Sequence, residues 1–263
     1  MRERVRLLGL DFADLGVTEA AARIAARPAE APFGYVVTPN ADHLVRVARE
    51  PGLRALYRGA SLCLLDSRVV RRAARTLALP APRVATGSDL TARLLRHHVL
   101  PDERITLIGL DRRHVPALTA ACDIASPWHY NPPMGFERNP RELRRTVDFV
   151  LSHPARFTFF AVGSPRQERL AAAIAATGRA TGTGLCVGAS IEFLAGVQHR
   201  APSWLQHAGL EWLHRLATDP ARLGRRYLLD NPPIFALLLR ERLGLGRGEP
   251  SGVAGQGGQH LAP

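Results

Sequence analysis

Six polar side chains fall at or just beyond the ends of short apolar runs. They are Thr38 and Asn40 after residues 33–37, Asp66 after 62–65, Ser164 and Gln167 after 156–162, and Glu192 after 184–187. Carboxylates can take up a proton, and hydroxyls and amides can orient a polar ligand. Each position also has a plainer reading. Asn40 and Asp66 suit helix caps, Gln167 stands three after Ser164 at the capping-box spacing, and Glu192 suits the first turn of a helix. One at a time they say little. Gathered on one edge they favour a binding site.

Only one kind of scaffold gathers them. The run 156–162 is short, apolar and aromatic, as a buried strand is, and Gly163-Ser164-Pro165 breaks it and opens a helix. Residues 184–196 repeat the pattern, with Ser190 opening a short helix. Two strand-turn-helix units in succession imply a parallel sheet with covering helices, whose ligands lie at the carboxyl ends of the strands. Further strands are expected at 5–10, 33–37, 62–65 and 105–109, with an edge strand at 123–125. Helices are expected at 18–26, 41–50, 53–58, 68–77, 115–121 and 141–152, and one more starts within Thr86–Asp89 with Ser88 as its cap. The four prolines in 126–140 mark an ordered loop or lid. Gly182, Gly184 and Gly188 do not have the G-x-G-x-x-G spacing, so they do not argue for a dinucleotide site.

Composition narrows the classes. The chain has 263 residues and a formal charge of +12, and every one of its 35 basic residues is arginine. That balance suits a polyanionic partner. Three distant cysteines form neither a disulfide framework nor a zinc pattern, which suits a reducing cytosol. No signal peptide or membrane-length apolar run is expected, and no P-loop, G-x-S-x-G or H-E-x-x-H pattern occurs. Neither a metal nor another cofactor is called for.

Beyond Pro202 the alternation of strand and helix stops. The expected division is a catalytic domain over 1–202, a basic helical appendage over 203–243 and a disordered tail over 244–263. Residues 200–247 hold eight arginines against four acids, interleaved with Trp204, Trp212, Phe235 and many leucines. A basic amphipathic segment of this kind reads as membrane-surface binding. Arg222, Arg225 and Arg226 share one helical face and can grip a pyrophosphate.

Several blocks occur in an order that resembles a known family. They are Thr38-Pro39-Asn40, Asp66, Thr86-Gly87-Ser88-Asp89-Leu90, Gly163-Ser164-Pro165-Arg166-Gln167-Glu168, Gly188-Ala189-Ser190-Ile191-Glu192-Phe193-Leu194-Ala195-Gly196, Arg200-Ala201-Pro202 and Gly209-Leu210-Glu211-Trp212. Together they resemble the WecG/TagA/CpsF glycosyltransferases over about residues 5–243. The resemblance implies a Rossmann-like α/β fold of GT-E type, with a parallel sheet, flanking helices and a C-terminal helical appendage. It implies an inverting, metal-independent hexosyl- or N-acetylhexosaminyltransferase. The donor would be a UDP-sugar and the acceptor a polyprenyl-diphosphate-linked sugar, used in exopolysaccharide or surface-glycan synthesis by an enzyme peripheral on the inner face of the cell membrane. By the same resemblance Asp66 is the base, with Thr38 and Asn40 beside it. Gln167 matches a nucleotide-site position, and the Arg-rich appendage completes the site; the substrate-binding residues expected are Ser164, Gln167, Gly188, Glu192, Arg215, Arg222, Arg225 and Arg226. Ser67 and Val69 stand where the family often has glycines, and Glu192 where it often has aspartate.

Two other classes stay open at this point: a non-catalytic regulator that binds a nucleotide sugar, and a nucleic-acid-binding protein drawn by charge. The aromatic and base-reading loops of the latter are absent, so nucleic acid is not an expected partner. Homo-oligomerisation is left open.

Overall fold

The computed structural model describes residues 4–198, 201–202, 204–205, 210–218, 224 and 230–245. Residues 4–13 form a hairpin of β1 (Arg4–Leu7) and β2 (Leu10–Ala13) where one strand was expected. Leu8 and Gly9 adopt positive φ of 51° and 74°, and this turn folds the apolar run back on itself.

Six further strands make one parallel sheet. They are β3 (Gly34–Val37), β4 (Leu62–Cys63), β5 (Thr106–Gly109), β6 (Trp128–Tyr130), β7 (Phe157–Ala161) and β8 (Thr183–Cys186), in the order β4-β3-β8-β7-β5-β6. The edge strand is β6 and not 123–125. Asp123 takes a left-handed conformation that ends the preceding helix, and the chain pairs with β5 only from Trp128, inside the proline-rich stretch.

Side chains alternate across the sheet as a strand's period of two requires. Val37, Ile108, Phe160 and Cys186 enter one core, and Val36, Leu107, Phe157, Phe159 and Leu185 enter the other. The three phenylalanines of β7 are wholly buried. Each such burial contributes roughly 1.5–3 kcal/mol.

The helices divide between the two faces. On the first lie α2 (Ala41–Arg49), α3 (Pro51–Arg58), α4 (Arg68–Thr76), α7 (Pro140–Ser152) and α8 (Arg166–Ala176). On the second lie α1 (Val17–Ala25), α5 (Gly87–His97), α6 (Val115–Cys122) and α9 (Ser190–Leu194). The chain therefore leaves β3 and β7 towards one face and leaves β8, between them, towards the other. Crevices open at such reversals of direction.

Beyond α9 the described residues include the helices Glu211–Thr218 and Pro233–Arg242. The second packs on α2 and α4 and buries Ile234 and Leu238 in the first core. Its Glu241 Oε2 also accepts a hydrogen bond from Leu8 N–H at 2.7 Å. This helix is thus docked on the body, although the alternation of strand and helix ends well before it. No helix among the described residues is long and apolar enough to cross a membrane. The expected tail beyond Leu245 lies outside the described residues.

Candidate active site

A crevice of about 1320 Å³ runs along the carboxyl edge of the sheet. All six strands contribute to it: Asp66 follows β4, Thr38 and Asn40 follow β3, Gly188 to Glu192 follow β8, Val162 to Gln167 follow β7, Leu110 and Asp111 follow β5, and Asn131 to Met134 follow β6. Thr218 and Asp230 from the C-terminal segment close one side. The chain thus brings Thr38, Asn40, Asp66, Ser164, Gln167, Gly188 and Glu192 into one cavity.

Asp66 is fixed by backbone on two sides. Its N–H donates to Pro39 O at 3.0 Å, and its Oδ2 accepts from Gly87 N–H at 3.0 Å. Gly87 is the first residue of α5, so the carboxylate meets the positive end of an eleven-residue helix. The cap of α5 is Thr86 and not Ser88. Thr86 Oγ1 accepts from Asp89 N–H at 3.1 Å, while Ser88 Oγ lies 3.4 Å from Ser190 Oγ across the crevice. A methyl group on Gly87 would stand 2.9 Å from Thr38 Oγ1, 3.4 Å from Ser190 Oγ and 3.5 Å from Asp66 Oδ2. Thr38, Asp66 and Ser190 thus converge on a space that only glycine leaves open. Ser67, which follows Asp66, caps α4 by accepting from Val70 N–H at 3.1 Å. Helix capping gives this position a use for serine in place of glycine.

Asn40 serves as the cap of α2, its Oδ1 accepting from His43 N–H at 3.2 Å. Ser164 and Gln167 do not form the expected capping box. The helix begins one residue later, at Arg166, with Pro165 as its cap. Ser164 Oγ accepts instead from Arg46 Nη2 at 3.2 Å and lies 3.4 Å from Tyr57 OH. Gln167 is 3% exposed; its Oε1 accepts from Gly188 N–H at 2.9 Å, and its Nε2 donates to Glu168 Oε1 at 3.1 Å. Both ends of that amide are therefore held within the protein. Glu192 is half-buried and accepts from Gln198 Nε2.

Single arginines went unmarked in a chain so rich in them, yet two line the crevice. Arg46 pairs with Asp42 one turn earlier, at 3.3 Å. Arg166 opens α8, and among the described residues its one polar contact is Met134 Sδ at 2.7 Å. For Arg46 the sequence signal is its i,i+4 spacing from Asp42, and for Arg166 its place in the Gly163–Glu168 block. The described lining holds five carboxylates, Asp42, Asp66, Asp111, Glu192 and Asp230, against these two guanidinium groups. Arg222, Arg225, Arg226 and the side chain of Arg215 lie outside the described residues. No group of three or more His, Cys, Asp or Glu able to hold a metal ion occurs among the described residues.

A six-stranded parallel sheet with helices on both faces and a polar crevice at its carboxyl edge defines a Rossmann-like α/β protein of the ligand-binding kind. The chain belongs to the Glycosyl transferase WecG/TagA/CpsF family, whose model matches residues 5–248. The family makes it a glycosyltransferase that takes a nucleotide-sugar donor and a lipid-linked acceptor.

Proposed function

We propose that the protein is an inverting, metal-independent hexosyl- or N-acetylhexosaminyltransferase. It would move a sugar from a UDP-sugar to a polyprenyl-diphosphate-linked acceptor during exopolysaccharide or surface-glycan assembly, on the inner face of the cell membrane. The observation that carries this reading is Asp66. It is a carboxylate at the floor of the crevice, aimed by the Gly87 N–H and closed in by Thr38 and Ser190.

In this reading Asp66 takes the proton of the acceptor hydroxyl as its oxygen attacks the anomeric carbon. The new C–O bond forms on the face opposite the diphosphate, the old C–O bond breaks, and UDP departs with the bonding electrons. Developing charge on the leaving diphosphate needs cations or backbone N–H groups. Arg166, at the start of α8, offers such a cation at the crevice wall. Five carboxylates against two guanidinium groups leave the described lining short of positive charge for a diphosphate. That shortfall supports a contribution from Arg215, Arg222, Arg225 and Arg226.

Membrane contact is supported by the helix Pro233–Arg242. Phe235, Leu239 and Leu243 recur every four residues, and all three are exposed on the side away from buried Ile234 and Leu238. Arg240 and Arg242 flank them. An apolar stripe beside cations suits an anionic bilayer surface.

The test of the catalytic reading is Asp66→Asn. The amide oxygen can keep the bond from Gly87 N–H, so UDP affinity should hold. Turnover with a panel of UDP-sugars and lipid-linked acceptors, followed by mass, should fall roughly 10²–10⁴-fold, the range for a lost acid–base group. Near wild-type turnover in that variant would exclude Asp66 as the base.

A further inference from the structure

Behind the crevice wall lies a carboxyl group that the proposed chemistry does not use. Glu168 is 1% exposed, and burial pushes its carboxyl above the ordinary glutamate value against the hydrogen bonds from Gln167, Tyr57 and Ser164. One of its oxygens does all of the visible work. Oε1 accepts from Tyr57 OH at 3.0 Å and from Gln167 Nε2 at 3.1 Å, while Oε2 is buried with no hydrogen-bond partner among the described residues.

The consequence falls on Gln167. An amide has a donor end and an acceptor end, and nothing intrinsic tells it which way to face. A carboxylate oxygen can only accept, so Glu168 draws the NH₂ end to itself and leaves Oε1 facing the β8 turn. There Oε1 accepts from Gly188 N–H at 2.9 Å. Gly188 has a φ of +52°, a conformation that favours glycine and is held here from outside. Two residues on, Ser190 opens α9 and faces Ser88 and the space beside Gly87 and Asp66. Tyr57 ties the same oxygen to α3. One atom of Glu168 therefore links α3, α8 and the β8 turn, which is the back of the crevice.

We propose that Glu168 is a positioning residue: through the amide of Gln167 it sets the β8 turn at Gly188 in the shape that receives the donor nucleotide. The proposal rests on the UDP-sugar reading for its ligand but not for its geometry.

Both parts can be measured on the full chain. One readout is the amide proton shift of Gly188 in protein labelled with ¹⁵N-glycine; the other is the affinity for UDP alone. Glu168→Leu and Gln167→Ala should each move the Gly188 resonance and weaken UDP roughly tenfold, the scale of one broken buried hydrogen bond. The double variant should be no weaker than either single one, because the two act as one unit. Glu168→Gln, whose Oε1 can still accept both bonds, should leave the resonance in place and UDP affinity within about twofold. If Glu168→Leu does not fold, Glu168→Asp withdraws the oxygens by one methylene and takes its place. Multiplied effects in the double variant would overturn the proposal, as would a Glu168→Gln that behaves like Glu168→Leu. If the wild-type protein binds no UDP, the UDP-sugar reading fails, and the Gly188 resonance decides the positioning role alone: a shift unmoved by loss of Glu168 overturns it.

Discussion

Gly87→Ala places a single methyl group where Thr38, Ser190 and Asp66 converge. The new carbon would lie 2.9 Å from Thr38 Oγ1, and ordinary contact begins at 3.4 Å, so the two groups must part by about 0.5 Å. The contacts to Ser190 Oγ at 3.4 Å and Asp66 Oδ2 at 3.5 Å are already ordinary, so the strain falls on Thr38. Thr38 is 7% exposed and follows directly on β3, which leaves little room to yield. Two effects on stability oppose each other. Replacing glycine by alanine at the start of α5 favours the helix by about 0.5–1 kcal/mol. Overpacking costs about 1–3 kcal/mol. The net loss in unfolding free energy should lie between about 0 and about 2.5 kcal/mol, so the protein remains folded. Turnover should respond more strongly. A 1 Å misplacement at a reacting centre can cost about 100-fold, so a shift of about 0.5 Å beside the base should cost on the order of tenfold. The assay pairs thermal unfolding with turnover on the lipid-linked acceptor. A variant as stable and as active as wild type would refute the convergence on Gly87. A variant that simply unfolds would show the space to be structural and not part of the site.

Three further outcomes are expected. Arg166→Gln should weaken UDP on the order of tenfold, the scale of a lost charge-assisted hydrogen bond, while leaving uridine binding unchanged; calorimetry with both ligands checks it, and equal losses would remove Arg166 from the diphosphate. Glu168→Gln should alter the pH dependence of stability. Burial raises the folded-state value of Glu168 above 4.5, so between those two values the folded protein holds a proton that the unfolded chain has released. Wild-type stability is thereby lost as pH rises through that window, and the glutamine variant escapes the loss. Urea unfolding from pH 4 to pH 8 should show the variant gaining on wild type towards the upper end, and parallel curves would contradict this. Finally, Phe235→Ser with Leu239→Ser should reduce binding to anionic vesicles roughly tenfold or more. Vesicle binding of the wild type should itself fall with salt, since exposed charge is screened over about 8 Å at physiological ionic strength. Unchanged flotation of the double variant would exclude this face.

The sheet was legible in the sequence because β3, β5, β7 and β8 are short apolar runs that end at polar or glycine residues, and the polar groups beyond them converge as parallel strands require. The hairpin β1–β2 was not. Its turn is made by Leu8 and Gly9, and a leucine at positive φ carries no signal of its own. The edge strand β6 was hidden because prolines flank it, and an edge strand tolerates them. Side-chain partners were the least legible. Ser164 has the type and spacing of a cap but spends its hydroxyl on Arg46, from a helix more than a hundred residues away in the chain. Gln167 has the spacing of a cap and the motif position of a nucleotide ligand, yet both ends of its amide are engaged inside the protein. Spacing within one helix gives no view of such distant pairs.

The docking of the last helix has a mechanical meaning. Ile234 and Leu238 are sunk between α2 and α4, and Glu241 grips the hairpin turn at Leu8. A surface-binding segment joined by a loose linker lets its cargo tumble at any height above a bilayer. A helix bolted to the body does not. If Phe235, Leu239 and Leu243 enter a lipid surface, the crevice is held at one elevation and one tilt, and the reach of the acceptor's head group has to match that standoff. The fold would then act as a gauge, selecting acceptors by the length between lipid and sugar as well as by the sugar itself.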